Sequence, residues 1–373
     1  MKELQTILKE SIRLKAENTK AVLATVVDVQ GSSYRLPGAK MLISEAGETF
    51  GTVSGGCLEA DVLEHARQVL QRGEPTVLTY DTTDTADSVF SLNMGCNGIV
   101  RILLESANDN DFFAFAEKCL QTGKRVVVAN LICSSDERKL KTGLRFFFDE
   151  SDIASNNPAT EIEQKLFGDV KDVFASGNSQ CRTYEIENER AEFFLEIISP
   201  LVSLVIFGAG YDAIPVAEFA KNLGWRVRVV DHRVAFAARE RFPAVDEILI
   251  LRPEDLPEKF DVGGNSVAVI MTHNYAFDRQ ILKFLLSKSL AYIGALGPKR
   301  RTESLLEELQ TEGAIFTRNQ LGKLYAPVGL DIGAAHPETI ALSIIAEINS
   351  VLSNRAGGFL RARQGSIYDR QLK

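Results

Sequence analysis

The 373-residue sequence has few sulfur-containing residues and one tryptophan: five cysteines and four methionines. No uninterrupted apolar run approaches the roughly 18 residues needed to cross a bilayer, and the amphipathic start Met1–Lys15 lacks the short apolar block of a signal peptide. A cytoplasmic protein with no membrane partner is expected. The cysteines (Cys57, Cys96, Cys119, Cys133 and Cys181) are few, odd in number and widely spaced, which argues against a disulfide framework and against a four-ligand CxxC-type zinc site. An important cysteine would act singly. Acidic residues (50) outnumber basic ones (42), and the net charge of −8 is spread without long blocks, so nucleic acid and anionic membrane are not expected partners. Small molecules and proteins are.

With 45% apolar and 25% charged residues, the composition is that of an ordinary globular protein. The length suggests two or three domains. In the first half, helical periodicity runs over Leu4–Arg13, followed by a strand at Ala21–Val29 and a Gly/Ser/Pro-rich loop, Gln30–Gly38. Short strands follow at Met41–Ser44 and Thr49–Val53, and a helix is expected directly after Gly55-Gly56. Further on, strands are expected at Thr76–Tyr80, Gly98–Leu104, Arg125–Ile132, Leu144–Phe148 and Ala191–Ile198, with helices at Asp111–Gln121 and Pro158–Phe174. Ser151–Asn157 and Ser176–Ser179 look like loops. The whole reads as an α/β domain with a mixed sheet over residues 1–198.

Beyond Ser199-Pro200 the pattern changes to strand-turn-helix alternation, with strands at Leu201–Phe207, Arg226–Val230, Glu247–Ile250, Ser266–Ile270 and Ala291–Ala295. Helices are expected at Asp212–Leu223, Val234–Arg241 and Phe277–Leu286. Such interleaving requires right-handed crossovers and a largely parallel sheet, so residues 199–373 read as a Rossmann-like, doubly wound nucleotide-binding domain. Gly208-Ala209-Gly210-Tyr211-Asp212-Ala213 is GxGxxA, placed between an apolar strand and a helix. Gly208 permits the tight turn, Gly210 lets a pyrophosphate approach the backbone, and Asp231 ends the second strand where a carboxylate can accept from a ribose 2′-OH. The alternative is that the glycines serve packing alone. Asp212 puts a negative charge in the first helical turn, where it would compete with a phosphate.

Open parallel sheets bind ligands at the carboxyl ends of their strands. Two further segments fall there: Thr272-His273-Asn274, and Lys299, Arg300 and Arg301. They could face a ligand's ring or phosphate, or could be a structural histidine and a solvated helix start. His65, His232 and Trp225 read as structural, and Cys119, Cys133 and Cys181 as core residues.

Segments in both halves of the chain resemble one family. The first half carries Gly31-Ser32-Ser33-Tyr34-Arg35-Leu36-Pro37-Gly38-Ala39-Lys40-Met41, Gly51-Thr52-Val53-Ser54-Gly55-Gly56-Cys57-Leu58-Glu59 and Met94-Gly95-Cys96-Asn97-Gly98. The second carries the glycine turn, Thr272-His273-Asn274, Ile293-Gly294-Ala295-Leu296-Gly297, and Val328-Gly329-Leu330-Asp331-Ile332-Gly333 with the following Pro337–Ile344. Together they are similar to the XdhC/CoxI family, accessory factors of xanthine dehydrogenase and related molybdenum hydroxylases. The resemblance implies a maturation factor that binds the molybdenum cofactor (molybdopterin) for sulfuration and insertion. It implies a hydroxylase apoenzyme and a cysteine desulfurase as partners, a homodimer, and a cofactor-binding chaperone more than a catalyst. The chain has no CxxC-rich iron–sulfur segment and is too short to be the hydroxylase.

The residues of the first half are compatible with that role. A pterin cofactor with a dithiolene-bound metal needs anion donors, a cationic side chain and a soft thiolate. Arg35 and Lys40 supply cations on a glycine-rich loop; Cys57 at a helix start and Cys96 in a loop supply sulfur, or else serve packing and turn geometry. The expectation is a cofactor site built from Arg35, Lys40, Cys57 and Cys96 in a cleft between domains, with the two cysteines close together. Gly208, Gly210, Asp231, His273, Lys299 and Arg300 would hold a second ligand, with NAD the first candidate. The competing functions are an NAD-dependent oxidoreductase, for which no convincing acid/base pair is evident, and an NAD(H)-sensing regulator.

Overall fold

The computed structural model describes residues 2–81, 98–108, 110–155, 158–263, 266–364 and 367. The chain divides into two compact units, Met1–Pro200 and Leu201–Lys373.

In the first unit, β1 (Ala21–Gly31), β2 (Lys40–Ser44), β3 (Thr49–Gly51), β4 (Thr76–Asp81) and β5 (Gly98–Ser106) form one sheet in the order β3-β2-β1-β5-β4. A second sheet, ordered β7-β6-β9-β8, contains β6 (Val126–Ser134), β7 (Arg145–Asp149), β8 (Gln180–Ile186) and β9 (Glu189–Ile198). Among the described residues every pairing in both sheets is antiparallel, where the sequence suggests a mixed sheet.

The near-continuous apolar run of β1 follows from cover on both faces. Val22, Ala24 and Val26 pack with Val62, Ala66 and Val69 of the helix Glu59–Arg72. Ala21 and Leu23 pack with Ile7, Leu8 and Phe112, from the helices Lys2–Ala16 and Asp111–Thr122. Full burial of each such Val or Leu stabilises by about 1.5–3 kcal/mol. Helix ends carry their signals: Asn110 accepts from Phe112 N, and Thr160 forms a capping box with Glu163 ahead of the helix Glu161–Ser176.

Three expectations need correction here. Glu150–Ser155 is a helix and not a loop, started by Asp149, whose carboxylate accepts from the N–H groups of Ser151 (2.7 Å) and Asp152 (3.2 Å). β8 escapes the sequence reading because its polar QCRTYEI pattern belongs to an edge strand, paired among the described residues only with β9. Cys133 is exposed, not core, because the β6–β9 register slips between Leu131 and Cys133 and turns the thiol outward.

The second unit is a six-stranded sheet ordered β12-β11-β10-β13-β14-β15, built from β10 (Ser203–Phe207), β11 (Arg226–Asp231), β12 (Glu247–Ile250), β13 (Ser266–Ile270), β14 (Tyr292–Ala295) and β15 (Leu324–Tyr325). Among the described residues all its pairings are parallel. Alternate residues of one strand feed opposite cores. Leu204 and Ile206 face Val216, Ala220, Ile344 and Ile348 of the helices Ala213–Asn222 and Pro337–Leu352. Val205 and Phe207 face Ile281, Leu285, Leu305 and Leu309 of the helices Tyr275–Leu286 and Lys299–Thr311. Helices on both faces make the unit doubly wound, and strand order reverses between β10 and β13.

Val234–Arg241, expected as a helix, is a series of turns. Arg241 Nη1 donates to Phe236 O (2.8 Å), a carbonyl that a helix would pair with the N–H of Glu240, and to Ala209 O (2.7 Å) in the glycine turn, while Arg239 Nη1 reaches Val245 O (2.5 Å) beyond the segment.

Candidate functional site

The reversal point at the ends of β10 and β13 is where the glycine turn lies. Gly208 has φ +114°, and a Cβ there would sit 2.4 Å from Met271 O, so only glycine lets the turn run flush against the end of β13. At Gly210 a Cβ would meet Asp212 Oδ1 at 2.5 Å: the Asp212 carboxylate lies on the face that the GxG pattern leaves open to a pyrophosphate. Its other oxygen, Oδ2, is 2.8 Å from His273 Nε2. His273 itself holds a left-handed backbone, φ +58°.

The loop carrying His273 is fixed from below. Thr272 Oγ1 donates to Asp278 Oδ1 (2.5 Å) and accepts from Asn274 N (3.1 Å), while Asn274 caps the following helix by accepting from Phe277 N. Arg301 Nη2 donates to the other oxygen of buried Asp278 (2.8 Å). Arg301 therefore serves the loop's framework. Lys299 and Arg300, its neighbours, are exposed at the start of their helix, Lys299 lying 3.9 Å from Glu303.

Asp231 is at the end of β11 as expected, but its side chain is 2% exposed. Oδ2 accepts from Ala209 N and Arg233 Nη2 (both 2.7 Å), and Oδ1 from Arg233 N (2.9 Å) and Nε (3.0 Å). Burial would raise this carboxyl's pKa, but Arg233 and the two backbone N–H groups hold it below the usual range. Here the acid braces the glycine turn. Beyond β14 and β15 an open cleft of ≈ 620 Å³ is lined by Leu296, Gly297, Val328, Leu330, Asp331 and Ile340 among others.

In the first unit, three of the glycine-bearing segments meet. Gly31 pairs with Gly98 across β1 and β5, and a Cβ on Gly98 would lie 2.7 Å from Ser32 O. The Tyr34 ring rests on Gly55, whose Cβ position is 3.4 Å from the ring. The Gly51–Gly56 loop is pinned by Ser54: its hydroxyl donates to Glu59 Oε2 and accepts from Gly56 N and Leu58 N (both 3.1 Å). Glu59 Oε1 accepts from Thr52 Oγ1 (2.5 Å) and Ser54 N (2.9 Å). Partial burial pushes the Glu59 carboxyl's pKa up, and these hydrogen bonds bring it below its usual range.

Cys57, just before the helix, is exposed on this pinned loop. Arg35 Nη2 donates to Glu3 (2.5 Å), and its buried Nε has no partner among the described residues. Lys40 is in the interior, its ammonium donating to both oxygens of Glu196. Cys96 lies outside the described residues, and with it the expected approach of Cys57 to Cys96. Among the described residues no group of three or more His, Cys, Asp or Glu side chains is placed to hold a metal ion, and no helix is long and apolar enough to cross a membrane.

Sequence reasoning missed the Ser54–Glu59 pairing, whose five-residue spacing matches no capping box, and Asp278, whose partners Thr272 and Arg301 lie on other segments. It treated Asp212 and His273 separately; only the sheet order places the ends of β10 and β13 side by side.

Comparison with known proteins agrees with this architecture. Residues 204–348 match the XdhC Rossmann domain and residues 14–81 the XdhC and CoxI family. Over 334 residues the chain is 32% identical to a Bacillus subtilis (strain 168) protein named as a probable xanthine dehydrogenase subunit, covering 89% of this chain and 93% of the relative. It is 23% identical over 347 residues to the molybdenum cofactor insertion chaperone PaoD of Escherichia coli (strain K12), covering 93% and 88%. A Bacillus halodurans crystal structure, described as a xanthine dehydrogenase, superposes with a TM-score of 0.73 at 32% identity, covering 93% of this chain and 96% of that one. On this match of sequence, length and fold, the chain belongs to the XdhC and CoxI family.

Proposed function

We propose that this protein is a maturation factor for a molybdenum hydroxylase of the xanthine dehydrogenase type, which holds the molybdenum cofactor for insertion. The observation that carries this reading is the convergence in the first unit of Ser32, Tyr34, Gly55 and Gly98 beside an exposed thiol, Cys57. Its donor set fits the group: Arg35 Nε is a buried N–H without a partner among the described residues, suited to an anionic oxygen, and Cys57 is a soft ligand for a molybdenum or sulfur centre. When bound, the cofactor supplies the redox metal centre that the client hydroxylase needs. The names of the Bacillus subtilis and Escherichia coli relatives point the same way.

The finer reading assigns Arg35 and Cys57 to the cofactor, with Cys96 as a second sulfur donor, and has sulfuration occur while the cofactor is held, served by a cysteine desulfurase. Lys40 contributes as the buried support of the loop's end through Glu196.

The test is co-expression with an apo-hydroxylase, measuring molybdenum by mass spectrometry and hydroxylase activity. The expected outcome is activation by the wild type and a loss of at least about tenfold with Arg35→Ala, whose guanidinium would contribute a charge-assisted hydrogen bond. Cys57→Ser should lower activation while leaving the fold intact. A hydroxylase equally active without this protein would end the reading.

A further inference from the structure

Asp212 and His273 come from different strand ends and meet over the glycine turn, Oδ2 to Nε2 at 2.8 Å. A carboxylate only accepts, so Nε2 carries the proton, and in the neutral ring the lone pair is then on Nδ1. The imidazole is 61% exposed, whereas Asp212 is 16% exposed. One ring nitrogen is thus tied down and the other is open, with no protein partner for Nδ1 among the described residues.

The backbone keeps it so. His273 adopts φ +58°, a left-handed conformation that a histidine seldom takes and that the surrounding structure must impose. Thr272, Asn274, Asp278 and Arg301 supply that constraint through the hydrogen bonds given above. Asp212 has a second effect. Its Oδ1 covers the face of Gly210, where a dinucleotide's diphosphate would bring its negative charge.

We propose that Asp212 and His273 form a hydrogen-bond-accepting dyad that reads an N–H or O–H of the ligand taken at this crevice, and that Asp212 turns a diphosphate away. The ligand class is a neutral heterocycle with a ring N–H, in place of the dinucleotide that the glycine pattern suggests. Choosing a pterin as the probe rests on the maturation reading; the exclusion of a diphosphate does not.

The experiment uses the full chain with 2-amino-4-oxopteridine and NADH as probes, read by calorimetry and by ¹⁵N NMR of the four histidines. His273 is assigned with His273→Asn, which suits the left-handed backbone. At a pH where the ring is neutral, the free protein should show Nε2 protonated and Nδ1 bare, with pterin shifting Nδ1. His273→Asn should weaken pterin by about tenfold or more, the loss of one strong hydrogen bond. Asp212→Asn should weaken pterin and strengthen NADH by about tenfold, opposite signs that a merely structural role would not produce. A neutral ring with its proton on Nδ1 in the free protein, or NADH binding that Asp212→Asn leaves unchanged, would overturn the proposal. Pterin that fails to bind while Asp212→Asn improves NADH supports the exclusion and counts against the pterin ligand alone.

Discussion

Lys40 and Glu196, 156 positions apart, meet inside the first unit with the ammonium 2.6 and 2.8 Å from the two carboxylate oxygens. Their side chains are 5% and 7% exposed, and the Lys40 ammonium also lies 4.7 Å from the Phe112 ring centroid. Removing one partner leaves the other charge buried without its counter-ion. Lys40→Met should therefore cost about 3–5 kcal/mol, whereas the double change Lys40→Met, Glu196→Leu should recover most of the loss. Urea unfolding of the two variants and the wild type tests this, and a double variant no better than the single one would refute it.

Glu59 provides a pH prediction. Its folded-state pKa is held below the ordinary value, so this carboxylate contributes stability above the usual range and loses it as pH falls through that range. Glu59→Gln should be less stable than wild type near neutrality. The gap should close from about pH 4.3 downward, the ordinary carboxylate value. Thermal melts across that interval give the answer; a gap that stays constant would show that charge plays no part.

Two glycines with the same backbone sign should respond differently to alanine. Gly56 has φ +108° with nothing within 4 Å of a Cβ, so Gly56→Ala should cost only backbone strain, on the order of 1–3 kcal/mol. Gly208→Ala adds a collision with Met271 O and should cost more, to the point of unfolding the second unit. Equal melting temperatures for the two variants would contradict the packing described.

Thiol reactivity should sort the cysteines. Cys57 and Cys133 are exposed; Cys119 and Cys181 are buried, and burial pushes the Cys119 thiol's pKa up to about 12, with Glu150 adding to the rise. In a Cys96→Ser background a thiol reagent should find two fast sites in the folded protein and the other two only after denaturation. Mass mapping that places a fast label on Cys119 would contradict the fold.

What the sequence made legible was local. The apolar run before Gly208 and the small-residue helix after it identify a strand-turn-helix unit at short range, and β1 announces its two-sided burial by its composition. The partners were not legible. Nothing near Lys40 names Glu196, and the acid at Asp231 looks the same whether it faces a ribose or folds back on Arg233 and Ala209. At Val234–Arg241 the periodicity misleads for another reason: the Arg241 guanidinium takes Phe236 O and ties the segment to Ala209 O of the glycine turn, a partner distant in sequence. Cys133 failed because a register slip of one residue reverses inside and outside.

The tie from Arg301 through Asp278 to Thr272 acts as a lever between two helices that cover the same face of the sheet. Of three consecutive basic residues, two face water and one is harnessed inward, so neighbours alike in charge have unrelated employments. Shortening Arg301 would slacken the loop that holds the imidazole without touching the ring, and the disturbance would be felt at residue 273 although the change was made at the head of another helix.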